Sequence, residues 1–416
     1  MPNIAIIGGG IGGLTAALAL RQFGFEPEVF EQAPALLDVG AAIAVWPNAM
    51  RILEQLGLAE KIMQQAGVIK QVRWLDYHGK ILNQVAIGRH PDDGRRRSDS
   101  QRRPEAPAVA IPRADLQSTL LHAVPTTSIH LGKIFLSQQQ GRDKVSALFA
   151  DGDSIDCNLL IGADGLHSHM RSQIVGDAPP VYRGYSVWRG IASSFPNLLE
   201  PGTAMEFHGR GKRFGIGPVG PGRTGWWAAV NRASSSDGMV ERTGDVEIPT
   251  NDESSSESPP HSTQHELLNL FDGWYRPVPE LIEATSSNSI LKTQAFDRPA
   301  NRTWGTGRVT LLGDAIHPTT PNLGQGGCMA IEDALVIARC IHKYGVTEQA
   351  LRTYEKIRHL RTAAVTRYSR GYGIVGQWEN PFVAGLRGRM LSLLPETLMR
   401  RLIRIVFDYD ANQVRI

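Results

Sequence analysis

The run Gly8-Gly9-Gly10-Ile11-Gly12-Gly13 constrains this chain more than any other feature, because of what stands on either side of it. Four apolar residues, Ile4-Ala5-Ile6-Ile7, precede it, and an alanine- and leucine-rich stretch over residues 14–23 follows it. A second short run, Glu28-Val29-Phe30-Glu31, closes the unit. Strand, glycine turn, helix and strand make a βαβ unit in which Gly8, Gly10 and Gly13 satisfy GxGxxG. Gly8 permits the tight turn, Gly10 lets backbone approach a pyrophosphate, and Gly13 lets the helix lie close on the strand, with Gly12 in the same turn. The helix that starts there offers free N–H groups and a partial positive charge to phosphates. Glu31 stands at the end of the second strand, where a carboxylate accepts hydrogen bonds from ribose hydroxyls. A dinucleotide-binding site is expected, the plainer alternative being a glycine-rich structural turn. The fingerprint alone does not separate FAD from NAD.

At 416 residues the chain suits one large or two intertwined domains. Apolar residues make up 42% and charged residues 20%, which is the composition of a folded enzyme rather than a disordered chain. The 44 basic residues exceed the 41 acidic ones by too little to argue for nucleic acid. Cys157, Cys328 and Cys340 form no CxxC pair, so three reduced, buried thiols and no metal site are expected. The apolar run begins at Ile4 with no basic segment before it, and the cytoplasm is the expected compartment. No stretch of about 18 apolar residues suggests a membrane span. Residues 390–407 mix Leu, Ile and Val with Arg400, Arg401 and Arg404, a pattern compatible with a membrane surface but expected to pack on the protein body.

Two polar, proline-bearing stretches, residues 89–107 and 243–263, are expected to be exposed loops. Between residues 182 and 230 short alternating segments separated by Gly and Pro predict antiparallel sheet. From Arg308 the chain returns to an apolar strand, a polar loop and a long helix over residues 327–342, then a final Arg- and Leu-rich helical region. The fold class expected is α/β, with α+β character in the substrate part. It comprises a Rossmann-like nucleotide-binding domain, an inserted antiparallel-sheet substrate domain and C-terminal helices. The expected boundaries are 1–75, 108–180 and 290–345 for the first, 76–107 and 181–289 for the second, and 346–416 for the helical region.

Two later motifs extend the nucleotide reading. VTLLGD, ending in Gly313-Asp314, is followed by Ala315-Ile316-His317-Pro318 and by Pro321-Asn322-Leu323-Gly324-Gln325-Gly326-Gly327. A carboxylate such as Asp314 at a strand end suits ribityl hydroxyls, and a glycine turn before a helix offers N–H groups to the pyrimidine edge of reduced flavin. Nicotinamide needs no such second clamp, so FAD is favoured. The third motif, Gly162-Ala163-Asp164-Gly165 with Ser168 and Arg171, follows an apolar strand. Asp164 makes a turn near the pyrophosphate, and Arg171 either anchors the loop or meets the phosphates of NAD(P)H.

With these three motifs in order, the sequence resembles the single-component FAD-dependent aromatic hydroxylases, a group that includes salicylate hydroxylase, 4-hydroxybenzoate hydroxylase and flavin-dependent urate hydroxylase. The resemblance covers nearly the whole chain. The late segment, through Glu332-Asp333-Ala334, is also similar to zeaxanthin epoxidase, and residues 39–48 and Gly211-Lys212-Arg213 are similar to the urate hydroxylase. The resemblance implies hydride transfer from NADH or NADPH to FAD, reaction with O2, and delivery of one oxygen atom from a flavin C4a-hydroperoxide to a phenolic, benzoate-like or heteroaromatic small molecule. By position, Gly8, Gly10, Gly13 and Glu31 hold the ADP half. Gly40, Ala41 and Arg113 also contact the cofactor, and Asp164 lies near the pyrophosphate and the NAD(P)H approach. Asp314 meets the ribityl chain, while Pro318, Gly324, Gly326 and Gly327 border the isoalloxazine. Ala44 stands where some relatives carry a histidine, so FAD is expected to be non-covalent.

The substrate is less legible. Arg213 is the first candidate for binding a substrate anion, against a plain Lys-Arg turn, and His208 is a second candidate base, against a structural histidine. Trp188, Trp226 and Trp227 are candidates for an aromatic wall, with Pro318, against ordinary core aromatics. An epoxidase or a polyketide- or terpenoid-oxidising enzyme of the same superfamily is the alternative function. A flavin-binding protein without turnover is another. A monomer or homodimer is expected.

Overall fold

The computed structural model describes residues 4–35, 41–87, 106–176, 178–193, 199–232 and 261–416. Most of the loop expected at 89–107 and of that at 243–263 lies outside these residues; His261 already opens the helix His261–Leu270.

A six-stranded sheet forms around Ile4–Ile7, which pairs in parallel with Leu159–Gly162 on one side and Glu28–Phe30 on the other. Each of its four residues is buried, as an unbroken apolar strand in a parallel sheet requires. The helices Ile11–Gln22 and Gly326–Tyr344 pack on each other over this sheet. A three-stranded ladder, Phe135–Gln140, Val145–Phe149 and Ser154–Cys157, adds Phe135 and Phe149 to the same core. Each fully buried Ile, Leu or Phe here contributes roughly 1.5–3 kcal/mol of burial free energy.

The second large sheet has seven strands in the order Leu291–Asp297, Val181–Ser193, Arg223–Asn231, Lys212–Pro218, Thr203–His208, Gln71–Asp76 and Ile81–Ala86. It is antiparallel except where Thr203–His208 runs parallel to Gln71–Asp76. Gln71–Asp76 and Leu291–Asp297 thus join this sheet from sequence positions beyond the boundaries expected at 75/76 and 289/290. One face carries Trp188, Phe207, Phe214, Ile216 and Trp226 against the helices His261–Leu270 and Pro277–Glu283. The opposite face carries Tyr185, Arg189, Glu206, Arg213 and Trp227, because paired residues across a ladder share a face and neighbours along a strand do not.

Between the two sheets lies a small one, Ala42–Val45, Ala108–Pro112 and Gly67–Ile69. The C-terminal region is helical: Glu348–Gly376, Pro381–Leu393 and Glu396–Phe407. The Thr347 hydroxyl caps the first by accepting from the Ala350 N–H, and Asn380 caps the second.

Candidate active site

The glycine turn is built from contacts that exclude side chains. Gly8 has φ of +109°, and a Cβ there would meet the Ala163 carbonyl oxygen at 2.4 Å. A Cβ on Gly13 would lie 1.9 Å from the Gly8 carbonyl oxygen, and one on Gly12 2.8 Å from Leu312. Gly10 differs, since a Cβ there would meet nothing within 4 Å. That open position caps the helix Ile11–Gln22 without a side-chain hydrogen bond, which leaves its first N–H groups for a phosphate. Glu31 accepts from the Gly9 N–H at 2.5 Å and the Ala33 N–H at 3.0 Å, so its carboxylate is fixed beside the turn. Gln117 donates to the Gly9 carbonyl at 3.1 Å, tying in the helix Arg113–Ala123.

The other two motifs converge on the same strand ends. Asp164 accepts from the Ser168 hydroxyl at 2.6 Å and the Met170 N–H at 3.1 Å; burial raises its pKa, and these bonds oppose the rise. Arg171 is buried and donates to the carbonyls of Ala315 and Ile316 at 3.1 and 2.6 Å, which is the loop-anchoring alternative. Asp314 is solvent-accessible yet ringed by protein. Desolvation raises its pKa, opposed by the charges of His317 and Arg113. Gly326, at the start of the helix Gly326–Tyr344, lies within 3.7 Å of Asp314 Oδ1 by its Cβ position. Gly324 has φ of +59° and faces Ala44 and Trp46, while Gly327 faces Ile43, so the late turn closes against the strand Ala42–Val45. Pro318 is buried just before it. Arg113 takes its place through a bond from its N–H to the Ala41 carbonyl, 3.0 Å, and its side chain is exposed; Gly40 lies outside the described residues.

Beneath this turn lies a buried ionic network. Asp333 accepts from His317 Nε2, Arg358 Nε and the Gly313 N–H at 2.6, 2.6 and 3.0 Å. Glu332 accepts from Arg358 and Asn48, both at 2.6 Å, and Asn48 also donates to Gln325 at 2.9 Å. Burial works to raise the Asp333 carboxyl, but the charges of His317 and Arg358 hold it below its ordinary value. His317 therefore orients the loop from below. All three cysteines are free and buried, their thiols pushed up to about 12 by desolvation.

The substrate candidates separate by sheet face. Trp188 and Trp226 both lie in the apolar core under the helices, with Trp226 Nε1 donating to Thr285 at 2.7 Å. Because Trp226 and Trp227 are neighbours on one strand, it is Trp227 that points to the other face, partly exposed. Its indole lies on Gly215, where a Cβ would be 2.1 Å from Nε1. Arg189 pairs directly across the ladder from Trp227 and donates to Thr293 at 2.9 Å. No ion pair joins Arg189 to a carboxylate among the described residues. Burial and the neighbouring Arg113 push it down to about 10.

Arg213 is fully buried and committed to protein partners: Gln377 at 3.1 Å, Glu206 at 3.0 Å and Asn322. Tyr372 donates to Glu206 at 2.7 Å and receives from Trp74 at 2.9 Å, while Asn322 donates to Tyr185 at 2.8 Å. His208 is buried beside this cluster, its pKa well below normal from burial and from the charges of Arg387 and Arg213. The ionic network and Arg189 were not singled out from sequence, whereas Trp227 was, as one of three tryptophans for an aromatic wall. The network joins residues far apart in the chain, which left no signal for it in the sequence.

A parallel sheet with a glycine-turn phosphate site, a second strand-end carboxylate and a late glycine turn defines an FAD-binding oxidoreductase. Residues 2–369 match the family described as "FAD binding domain". The chain is 36% identical over 94% of its length to the aurachin C monooxygenase/isomerase of Stigmatella aurantiaca, covering 94% of that protein. It is 35% identical to the 3-amino-4-hydroxybenzoate 2-monooxygenase of Streptomyces cremeus, over 88% of this chain and 86% of that one. The structure of HpxO from Klebsiella pneumoniae complexed with FAD and uric acid superposes with a TM-score of 0.82 at 29% identity, over 97% of this chain and 96% of that one. The chain belongs to the FAD-dependent aromatic hydroxylase family and is an FAD-dependent monooxygenase. Among the described residues no helix is long and apolar enough to cross a membrane.

Proposed function

We propose that this monooxygenase inserts one oxygen atom into a flat aromatic or heteroaromatic ring, consuming O2 and NADH or NADPH in the cytoplasm, with FAD bound non-covalently. The observation that carries this reading is the pairing of Trp227 and Arg189 on the sheet face bearing Tyr185 and Arg213. A partly covered indole seated on Gly215 gives a planar ring a surface to stack on. The adjacent guanidinium has donors left for a ring oxyanion or carboxylate, and holding a phenol in its ionised form raises electron density at the carbon to be hydroxylated. The relatives support it, since an aminohydroxybenzoate and uric acid are flat rings with ionisable oxygens.

In this reading Gly8, Gly10, Gly12, Gly13 and Glu31 hold the ADP half of FAD, Arg113 and Asp164 flank the pyrophosphate, and Asp314 meets the ribityl chain. Pro318, Gly324, Gly326 and Gly327 border the ring system. Bound FAD supplies the redox chemistry, accepting a hydride and activating O2. The protein's residues stack the substrate on Trp227, hold its anion at Arg189 and keep water from the reacting carbon. Arg213 is a positioning residue that holds Asn322, and His208 is structural. The test is NAD(P)H oxidation against a panel of phenolic acids, purines and polyenes, with products weighed for one added oxygen. Added oxygen only in polyenes, or in none, overturns the reading.

A further inference from the structure

The C-terminal helices keep an apolar face that the fold does not cover. Of eighteen large apolar side chains exposed among the described residues, eleven fall between positions 360 and 405. On the helix Pro381–Leu393 they are Phe382, Leu386, Met390 and Leu393, a stripe with helical spacing in which Phe382 is 88% and Leu393 81% exposed. The helix Glu396–Phe407 repeats the arrangement with Leu398, Leu402 and Ile405, while Met399, Val406 and Phe407 face inward. These helices are fixed to the body. Asn83, on the strand Ile81–Ala86, donates to the Leu391 and Leu394 carbonyls at 2.6 and 2.9 Å, and Arg387 reaches the Gly376 and Gly209 carbonyls at 2.6 and 2.7 Å.

Charge selects the occupant. The two helices carry Arg387, Arg389, Arg400, Arg401 and Arg404 against one acid, Glu396. Arg400 bonds Glu396 at 2.9 Å and Arg404 bonds Asp408 at 2.7 Å. Arg389 and Arg401 are exposed and have no partner among the described residues. A symmetric contact with a second copy would set this basic face against itself, adding repulsion to the gain from burial. Residues 88–105, which follow the strand beneath these helices, contain no Leu, Ile, Val, Met or aromatic residue other than His90, so that segment has nothing apolar to lay over the stripe. An apolar stripe flanked by arginines matches the boundary between headgroups and acyl chains in an anionic bilayer.

We propose that the helices Pro381–Leu393 and Glu396–Phe407 dock the enzyme on an anionic membrane surface. The apolar side chains enter the acyl boundary and Arg389 and Arg401 meet lipid phosphates. The enzyme lies on the surface without crossing it.

The test is co-sedimentation of the FAD-loaded full chain with vesicles of phosphatidylglycerol and phosphatidylcholine in equal parts, and with phosphatidylcholine vesicles alone. Binding is expected to the mixed vesicles and to weaken at high salt. The double variant Arg389→Gln/Arg401→Gln is expected to bind about 25-fold more weakly, each arginine being worth roughly fivefold at an anionic surface. Phe382→Ser/Leu386→Ser/Leu393→Ser is expected to abolish binding with the flavin absorbance unchanged. Failure of the wild-type chain to bind mixed vesicles overturns the proposal, whether it sediments alone as a monomer or as a dimer that the triple substitution splits. Equal binding to both vesicle types overturns the role of the arginines.

Discussion

Arg213, on the strand Lys212–Pro218, donates from Nη2 to Oδ1 of Asn322, 109 positions further along the chain. That bond fastens the seven-stranded sheet to the loop that precedes the late glycine turn. Arg171 fastens the same loop from the other side through the carbonyls of Ala315 and Ile316. The segment expected to border the flavin ring is thus held by two buried arginines, one from the seven-stranded sheet and one from the helix His169–Ile174.

Replacing Arg213 with Met strands Glu206 without its cationic partner and should destabilise the protein by about 3–5 kcal/mol. Adding Glu206→Gln should restore more than half of this loss, and Arg213→Lys should fall between, because an ammonium lacks the fork that reaches Gln377, Glu206 and Asn322 together. Urea unfolding measures it. A Met variant with wild-type stability that loses only substrate affinity would instead make Arg213 the substrate cation.

Glu31→Ala removes the acceptor for the Gly9 and Ala33 N–H groups and the carboxylate proposed to meet the adenosine ribose. At about 1.5–3 kcal/mol for hydrogen bonds to a charged group, FAD affinity should fall roughly tenfold to a hundredfold. Titration of apoprotein with FAD, followed by quenching of flavin fluorescence, reads this directly.

The parts of the site visible beforehand were those carried by local sequence. The glycine turn, Glu31, Asp164 and Asp314 each sit in a short motif whose backbone chemistry allows few other residues, and the helix expected over 327–342 is found as Gly326–Tyr344. The substrate side depends on which face of a strand a residue occupies, and adjacent tryptophans at 226 and 227 look alike until the register is known. Trp226 lies under helices and Trp227 does not. Arg213 reads as a turn residue or a substrate cation until its partners at 206, 322 and 377 are placed around it.

Asp314 has a raised pKa, so its folded-state value lies above the unfolded one. Its stabilising contribution is fully present only when protonated, below about pH 4, and is lost as pH rises through the folded value. At neutral pH the carboxylate is then a net cost to the apoprotein. Asp314→Asn should raise the apoprotein melting temperature at pH 7 while weakening FAD binding, and the gain should vanish at low pH. A melting temperature lowered at pH 7 would contradict this.

Asp333 behaves in the opposite sense. Although burial works to raise it, His317 and Arg358 hold its carboxyl below the ordinary value, so its contribution is present above about pH 4 and lost as pH falls through the folded value. Asp333→Asn should cost about 3 kcal/mol or more at pH 7, because Arg358 loses part of its compensation in the interior. Melting temperatures of wild type and variant should converge as the pH drops below about 4. A gap that stays constant would remove the charge from the explanation.

Trp188 and Trp227 offer the sharpest separation of fold from site, since they lie on opposite faces of one sheet. Trp188 is fully buried in the helix-covered core, and Trp188→Ala should cost about 3–5 kcal/mol in stability. Trp227→Ala removes a partly exposed ring that rests on Gly215 and should cost far less in unfolding free energy. If Trp227 is the surface on which the substrate stacks, its loss should raise the substrate Kd by about twofold to tenfold, from roughly 0.5–1.5 kcal/mol of ring stacking. Trp227→Phe should recover most of that affinity. The ratio of product formed to NAD(P)H consumed adds a second readout, because a ring held loosely leaves reducing equivalents to be spent without hydroxylation. Equal losses of stability in the two alanine variants, with substrate binding untouched in Trp227→Ala, would return Trp227 to the core.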